Sequence, residues 1–206
     1  MLAFLAFHKD GVRRCSAAEQ LWPDCTMQRA AANLRSALCH ARRAGSANVI
    51  DSVDHCLQLS SPVWVDLHDV GNLAQEVLSG QGVPYRAAAG LVDELGRELL
   101  TGWSDSWLLL ERERWDQLRL HTLEALAQQF QVAQQYVPAL HTALAAIAID
   151  RVRETAHRIV MEVHIAEGNV ASAVKCYQEY KAFLDRELSV APSRRMTQLA
   201  EDLMPM

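Results

Sequence analysis

Apolar residues recur at a helical spacing near the start of the chain, within WPDCTMQRAAANLRSALCHARRAG at residues 22–45. Small and branched apolar side chains occupy the i, i+3, i+4 and i+7 positions of one helix face: Leu34, Ala37, Leu38 and Ala41. Thr26 is a favourable N-cap before them, and Gly45 is a natural residue to follow the last turn. The pattern therefore predicts a helix over residues 27–44 with one buried side.

Two shorter helices are predicted before this one. LAFLAFH at residues 2–8 has the composition of the end of a buried helix. Ser16 and Glu19 have the S-x-x-E spacing of a capping box, which predicts a helix from about Ala17 to Trp22. Pro23 is expected to close that helix.

A hairpin is predicted after the long helix. NVID at residues 48–51 and HCLQLS at 55–60 are rich in strand-forming residues and are separated by a short turn. VWVDL at 63–67 is compatible with a third strand or with the exit from the domain. Two short helices, a longer helix and a hairpin, in that order, predict a winged helix-turn-helix.

The rest of the chain, from about residue 69 to 206, has a helical pattern. Glycine and proline mark a break at residues 78–85, and TGWSDSW marks another at 101–107. Further helices are predicted over 107–133 and 152–167.

An internal repeat lies within this helical part. AQQYVPALHTAL at residues 133–144 aligns with EGNVASAVKCYQ at 167–178 at an offset of 34 residues, which pairs Ala139 with Ala173. Small residues belong where paired helices approach closely, and a helix–turn–helix unit of this period is typical of tetratricopeptide arrays.

Charge is unevenly distributed along the chain. The formal net charge is -5, which by itself argues against a nucleic-acid partner. Residues 1–50, however, carry a net charge of +4, whereas residues 67–206 carry -6. A basic first module and an acidic second module suggest that the two have different partners.

Polar and basic side chains lie opposite the apolar face of helix 27–44. Asn, Arg and Ser are residue types that contact base edges in the major groove, and Arg also contacts phosphates. The same pattern also fits a helix with an ordinary solvated face; the flanking helix, the hairpin and the local positive charge favour DNA reading. The predicted DNA contacts are Arg13, Arg14, Arg29, Asn33, Arg35, Ser36, His40, Arg42 and Arg43.

No motif for catalysis is present, so no enzyme, no catalytic residue, no cofactor and no metal site are predicted. The sequence lacks the HExxH, GxSxG, P-loop and GxGxxG patterns. The five cysteines form no CxxC pair, which favours free thiols in a reducing cytoplasm, and no apolar run is long enough for a membrane span. Trp103 and Trp107 are expected to fix the start of the repeat domain, or alternatively to line a peptide groove.

Several segments together resemble the bacterial transcriptional activator domain family, the architecture of the Streptomyces antibiotic regulatory proteins. They are AEQLWPD, RAAANLRSALCHARRA, VIDSVDHCLQL, VWVDL, ELLTGWSDSWLLLERER and GNVASAVKCYQEYKAFLDRELSVAPS. The most specific are LLTGWSDSWLLLERER and DRELSVAPS. The resemblance extends from about Leu2 to Leu203.

The resemblance implies an OmpR-type winged helix over residues 1–66, followed by an all-α tetratricopeptide-like domain over 67–206, in a mainly α fold. Family members bind double-stranded promoter DNA, often as dimers, and recruit RNA polymerase. Helix 27–44 would be the recognition helix, and residues 48–60 the wing. Unlike the family, this chain lacks the β-strands that precede the first helix, and its wing tip SVDH carries no Arg or Lys.

Two hypotheses follow for the function. The first is a cytoplasmic transcriptional activator that binds promoter DNA, with the helical domain used for self-association or for contact with RNA polymerase. The second is a tetratricopeptide-type interaction module whose incomplete N-terminal domain does not bind DNA. An in-frame extension upstream of Met1 with an alternating apolar pattern would favour the first.

Overall fold

The computed structural model describes residues 1–43, 49–80 and 84–203. Helices dominate these residues, which confirms the predicted mainly α fold, and none of the described helices is long and apolar enough to cross a membrane. The elements in chain order are α1 (Leu2–Ala6), β1 (Val12–Arg13), α2 (Arg14–Leu21), α3 (Met27–Arg43), β2 (Ile50–Val53), β3 (Cys56–Leu59), α4 (Asp66–Leu78), α5 (Tyr85–Leu95), α6 (Trp107–Val132), α7 (Tyr136–Ile149), α8 (Glu154–Ala166), α9 (Val170–Leu188) and α10 (Arg194–Glu201).

The chain forms two compact units that are not continuous in sequence. The first unit comprises Met1–Asp69 together with Leu100–Arg114, and the second comprises Val70–Leu99 together with Trp115–Met206. The boundary between a DNA-binding domain over residues 1–66 and an activator domain over 67–206 stays a prediction.

A three-stranded antiparallel sheet forms one side of the first unit. Its order is β1-β3-β2, with Val12 opposite Leu57 and Ile50 opposite Leu59. The predicted hairpin β2–β3 is therefore confirmed. Its turn residues Asp54 and His55 both have positive φ angles, 47° and 65°, as tight two-residue hairpins require. The segment at 63–67 is not a strand, because α4 begins within it.

The strand β1 was not predicted, and it shows why the expected capping box was wrong. Arg13 pairs with Cys56 in the sheet, and the chain passes directly from this extended residue into α2. Helix α2 therefore begins at Arg14, ahead of Ser16 and Glu19, and Arg13 as its N-cap makes no side-chain capping bond. Strand pairing at Arg13 therefore sets where the helix begins, and this start lies ahead of the predicted capping residues in the sequence.

The core of the first unit joins α1, α2, α3 and the sheet. Phe4, Leu34 and Leu57 are each at most 2% exposed and belong to one cluster. The Trp107 ring packs against this cluster, 5.3 Å from the Phe4 ring and 5.9 Å from that of Phe7. Trp107 thus belongs to the core of the first unit and does not fix the start of the repeat.

The second unit contains the predicted repeat. Helices α7 and α9 begin 34 residues apart, and α8 packs against both of them. Ala139 and Ala173, the residues paired by the repeat, are both fully buried. The alignment therefore paired two small residues that are both buried in the repeat.

Candidate nucleic-acid interface

Helix α3 is anchored in the first unit by its apolar face. It begins at Met27, with the Thr26 hydroxyl accepting a hydrogen bond from the Arg29 amide at 3.4 Å, as predicted for an N-cap. Ala30 and Leu34 are buried, and Leu38 packs against the same core. The 17 residues give a helix of roughly 25 Å, long enough to lie in a major groove. Gly45, which was predicted to follow the last turn of this helix, lies outside the described part of the chain.

The opposite face of α3 is exposed and cationic. The helix contains four arginines and neither Asp nor Glu. Arg29, Ser36, His40 and Arg43 are exposed, and their spacing of seven, four and three residues places them along one side of the helix. Arg35 and Arg42 are also exposed and lie toward the other flank of that face.

The position of these cations also has a structural reason. His40, Arg42 and Arg43 lie in the last turn of α3, where positive charge interacts favourably with the carbonyl end of the helix dipole. Arg29 lies in the first turn of the helix and Arg35 at its middle, where the dipole gives them no such benefit. Helix stability therefore accounts for Arg42 and Arg43, whereas Arg29 and Arg35 are better explained by contact with a partner.

Asn33 differs from the other predicted contacts. It is half-buried, and its side-chain amide donates toward the Cys25 sulfur at 3.9 Å. The structure therefore places Asn33 at the edge of the exposed face, turned toward the loop that precedes α3.

Two further arginines lie at the junction of the sheet and α2, Arg13 at the end of β1 and Arg14 at the start of α2. Arg13 is exposed, whereas Arg14 is half-buried, and the Arg14 Nη1 donates to the Ser52 hydroxyl at 3.2 Å. The Arg14 backbone amide also donates to the His55 carbonyl at 3.0 Å. Arg14 and Arg42 line the same small cavity of about 20 Å³ between α3 and the hairpin. The structure thus brings a guanidinium from α2 close to one from the end of α3.

The β2–β3 hairpin, which was predicted to be the wing, differs from α3 in its charge. Its tip is formed by Asp54 and His55, and the neighbouring Val53 is 55% exposed. Asp51 lies on β2, and the segment 50–59 contains no Lys or Arg. Acidic groups beside a phosphate backbone oppose binding, so the candidate surface for a nucleic acid on this unit is α3 together with Arg13 and Arg14.

Sequence reasoning missed two exposed residues at the start of α3. Met27 is 72% exposed, an unusual position for a large apolar side chain, and Gln28 beside it is also exposed. The first residues of a recognition helix commonly reach base edges, and an apolar group there can contact a thymine methyl. The sequence carries no clear signal for Met27, because it precedes Ala30 by three residues and Leu34 by seven and so continues the spacing of the buried stripe.

No group of three or more His, Cys, Asp or Glu side chains in residues 1–43, 49–80 and 84–203 could hold a metal ion. The five cysteines are free thiols, distributed over both units.

Comparison with known proteins places the second half of the chain in a family. No curated protein matches the sequence. The profile of the bacterial transcriptional activator domain matches residues 81–204, more than half of the chain, and confirms the resemblance seen in the sequence. The matched region contains α5 to α10, including the repeated helices, and does not reach α3. The chain belongs to the bacterial transcriptional activator domain family.

Proposed function

We propose that this chain is a transcriptional activator that binds double-stranded promoter DNA through its first unit and contacts RNA polymerase, or a second copy of itself, through its second unit. The observation that supports DNA binding is α3, whose apolar face is held in a core while its outer face carries four arginines and no acid. Family membership supports a regulatory role in transcription. The place of action would be the cytoplasm, where the promoter lies.

Within this proposal the residues divide by what they contact. The exposed arginines contact phosphates: Arg13, Arg29, Arg35, Arg42 and Arg43. Arg14 also contacts a phosphate, beside the small cavity that it lines together with Arg42. Ser36 and His40, which lie between Arg29 and Arg43 on the same side, read base edges. Asn33 reads a base only after its amide leaves the Cys25 sulfur.

The test is salt-dependent binding of the full chain to a fluorescent duplex from its own upstream region. Each phosphate contact contributes roughly 0.9 to the slope of log K against log salt. Arg35→Ala combined with Arg43→Ala should therefore lower that slope by about 1.8 and weaken binding to all duplexes alike. Ser36→Ala should leave the slope unchanged and relax the sequence preference.

A matched control is available in the second unit. Arg194 and Arg195 are adjacent exposed arginines of α10, so replacing both by alanine removes the same charge from the chain without touching α3. Binding that is insensitive both to salt and to the α3 pair would refute groove docking. The absence of any binding at low salt would favour the interaction module instead.

A further inference from the structure

A groove opens in the second unit between α7 and α9, with residues of α8 in its wall. Its volume is about 220 Å³. The apolar lining comes from Leu144 and Ile147 of α7, Val160 of α8 and Phe183 of α9. Leu144 is 49% exposed, so an apolar surface lies open to a partner. We call this feature the α7–α9 groove.

One end of the groove carries a positive charge that has no acidic partner. The Arg151 guanidinium stands over the Phe183 ring, 4.7 Å from its centroid. Glu179 also lines the groove, but its carboxylate faces Lys175, with Oε1 and Nζ 3.7 Å apart. Across the described helices of this unit, no carboxylate lies within salt-bridge distance of Arg151. The groove is therefore suited to an anionic group beside an apolar one.

The wall next to Arg151 is held in place by hydrogen bonds and stacking. The His157 ring stacks on Tyr180 at 4.2 Å between centroids, and its Nε2 lies 3.0 Å from the Arg151 carbonyl. The Tyr180 hydroxyl donates to the Val152 carbonyl at 2.8 Å. Both bonds hold the turn before α8, so binding at Arg151 requires little ordering of the backbone.

The size of the groove decides which kind of ligand fits. Sites for small molecules usually measure about 300–1,000 Å³ and enclose most of the ligand. The α7–α9 groove is smaller and open, which suits one large side chain of a peptide whose backbone stays outside. A buried anchor side chain of this kind supplies much of the energy of a protein interface.

We propose that the α7–α9 groove binds a short segment of a partner protein that inserts a Leu or Phe side chain between α7 and α9 and places an Asp or Glu carboxylate against Arg151. This deepens the partner-contact role proposed for the second unit and rests on it. The groove belongs to that unit alone, so it is tested without DNA, and its failure leaves the DNA-binding proposal untouched.

The experiment titrates the isotope-labelled full chain with synthetic hexapeptides and follows backbone amide signals by NMR. The probe contains a Leu-Phe pair followed by Asp-Glu between two serines. One matched peptide has Lys-Lys in place of the acids, and another has Ala-Ala in place of the apolar pair. We expect the probe to shift signals of α7 and α9 around Leu144 and Phe183, and each matched peptide to bind roughly tenfold more weakly.

Two charge-reversal variants then locate the carboxylate. Arg151→Glu should weaken binding of the probe peptide by roughly tenfold or more and improve binding of the lysine peptide. Arg195→Glu, an equal charge change on α10, should change neither. An unaltered spectrum of each free variant shows that it is folded.

Four results would overturn the proposal. They are no shifts at millimolar peptide, shifts away from the groove, equal binding of the acidic and lysine peptides, and equal effects of the two reversals. Self-association of the free chain that Arg151→Glu abolishes, measured by sedimentation, would assign the groove to a second copy instead.

Discussion

Replacing Glu124 is expected to destabilise the second unit, because this residue joins α6 to the start of α8. The Arg153 Nε and Nη2 donate to the two Glu124 oxygens at 2.7 and 3.0 Å, a bidentate pairing. The Glu124 side chain is 9% exposed and the Arg153 side chain is 22% exposed. The hydrogen bond to Glu124 is also the main reason that the pKa of Arg153 lies above its ordinary value.

Glu124→Ala leaves the guanidinium without its carboxylate in a largely dry position. Breaking a fully buried pair in this way costs about 3–5 kcal/mol. Arg153 keeps about a fifth of its exposure, so water compensates in part, and we expect a loss of about 2–3 kcal/mol in the free energy of unfolding of the second unit. Replacing both partners, as in Glu124→Leu with Arg153→Met, removes the unpaired charge and should cost less than Glu124→Ala alone.

Amide hydrogen exchange of α8 under native conditions is the appropriate assay, because four of the five tryptophans lie in the first unit and fluorescence would report mainly on that unit. Slow-exchanging α8 amides should lose about 30- to 150-fold protection in Glu124→Ala. If protection changes less than twofold, or if the double variant is the less stable of the two, the ion pair does not hold α6 to α8.

Three further predictions concern stability. Leu34→Ala, at a site 2% exposed, should lower the free energy of unfolding of the first unit by about 2–5 kcal/mol in urea titrations; a loss below about 1 kcal/mol would place Leu34 outside the core. Ser193→Ala removes the N-cap of α10, which accepts from the Met196 amide at 3.3 Å and also binds Glu154, and should cost about 1–2 kcal/mol by hydrogen exchange in α10. Burial lowers the pKa of His157 below its ordinary 6.5, so its contribution to stability is complete above that pH and is lost as pH falls toward the folded-state pKa. The urea concentration at the midpoint of unfolding should therefore be lower at pH 5.5 than at pH 7.5 in the wild type. The difference between the two pH values should be smaller in His157→Phe.

The long helices could be predicted because their signals are local. Helix α3 has a capping residue, an apolar stripe and a change of composition at its end, all within about twenty residues. The repeat in the second unit was visible for a related reason, since Ala139 and Ala173 occupy equivalent places in units of equal length. Such features depend on spacing along the chain and need no knowledge of distant contacts.

The short strand β1 could not be predicted in the same way. Two residues cannot show an alternating pattern, and Val12 forms a strand only because Leu57, far along the chain, pairs with it. Trp107 is a similar case, because its ring completes a core whose other members come from the beginning of the sequence. Nothing near Trp107 indicates that partner.

The candidate site was predictable as a face and less so residue by residue. Helical spacing placed Ser36, His40 and Arg43 outward, and all three are exposed in the structure. Asn33 lies at the border of the same face, where the contact with Cys25 decides its direction. Met27 escaped prediction because an apolar residue at the first position of a helix is usually counted as part of its buried stripe.

The overall negative charge of the chain does not argue against DNA binding through α3. At physiological ionic strength, charges more than roughly 8 Å apart are largely screened, so a phosphate against α3 is affected mainly by the four arginines of that helix. Residues 67–206 carry a net charge of -6, and only those of their charges that lie within the screening length oppose binding near physiological salt. At 0.01 M salt the screening length grows to about 30 Å, so more of them contribute. The rise in affinity on lowering the salt should therefore flatten at the low end in the full chain. The slope of log K against log salt measured near physiological salt is therefore the one that would count the phosphate contacts proposed for α3.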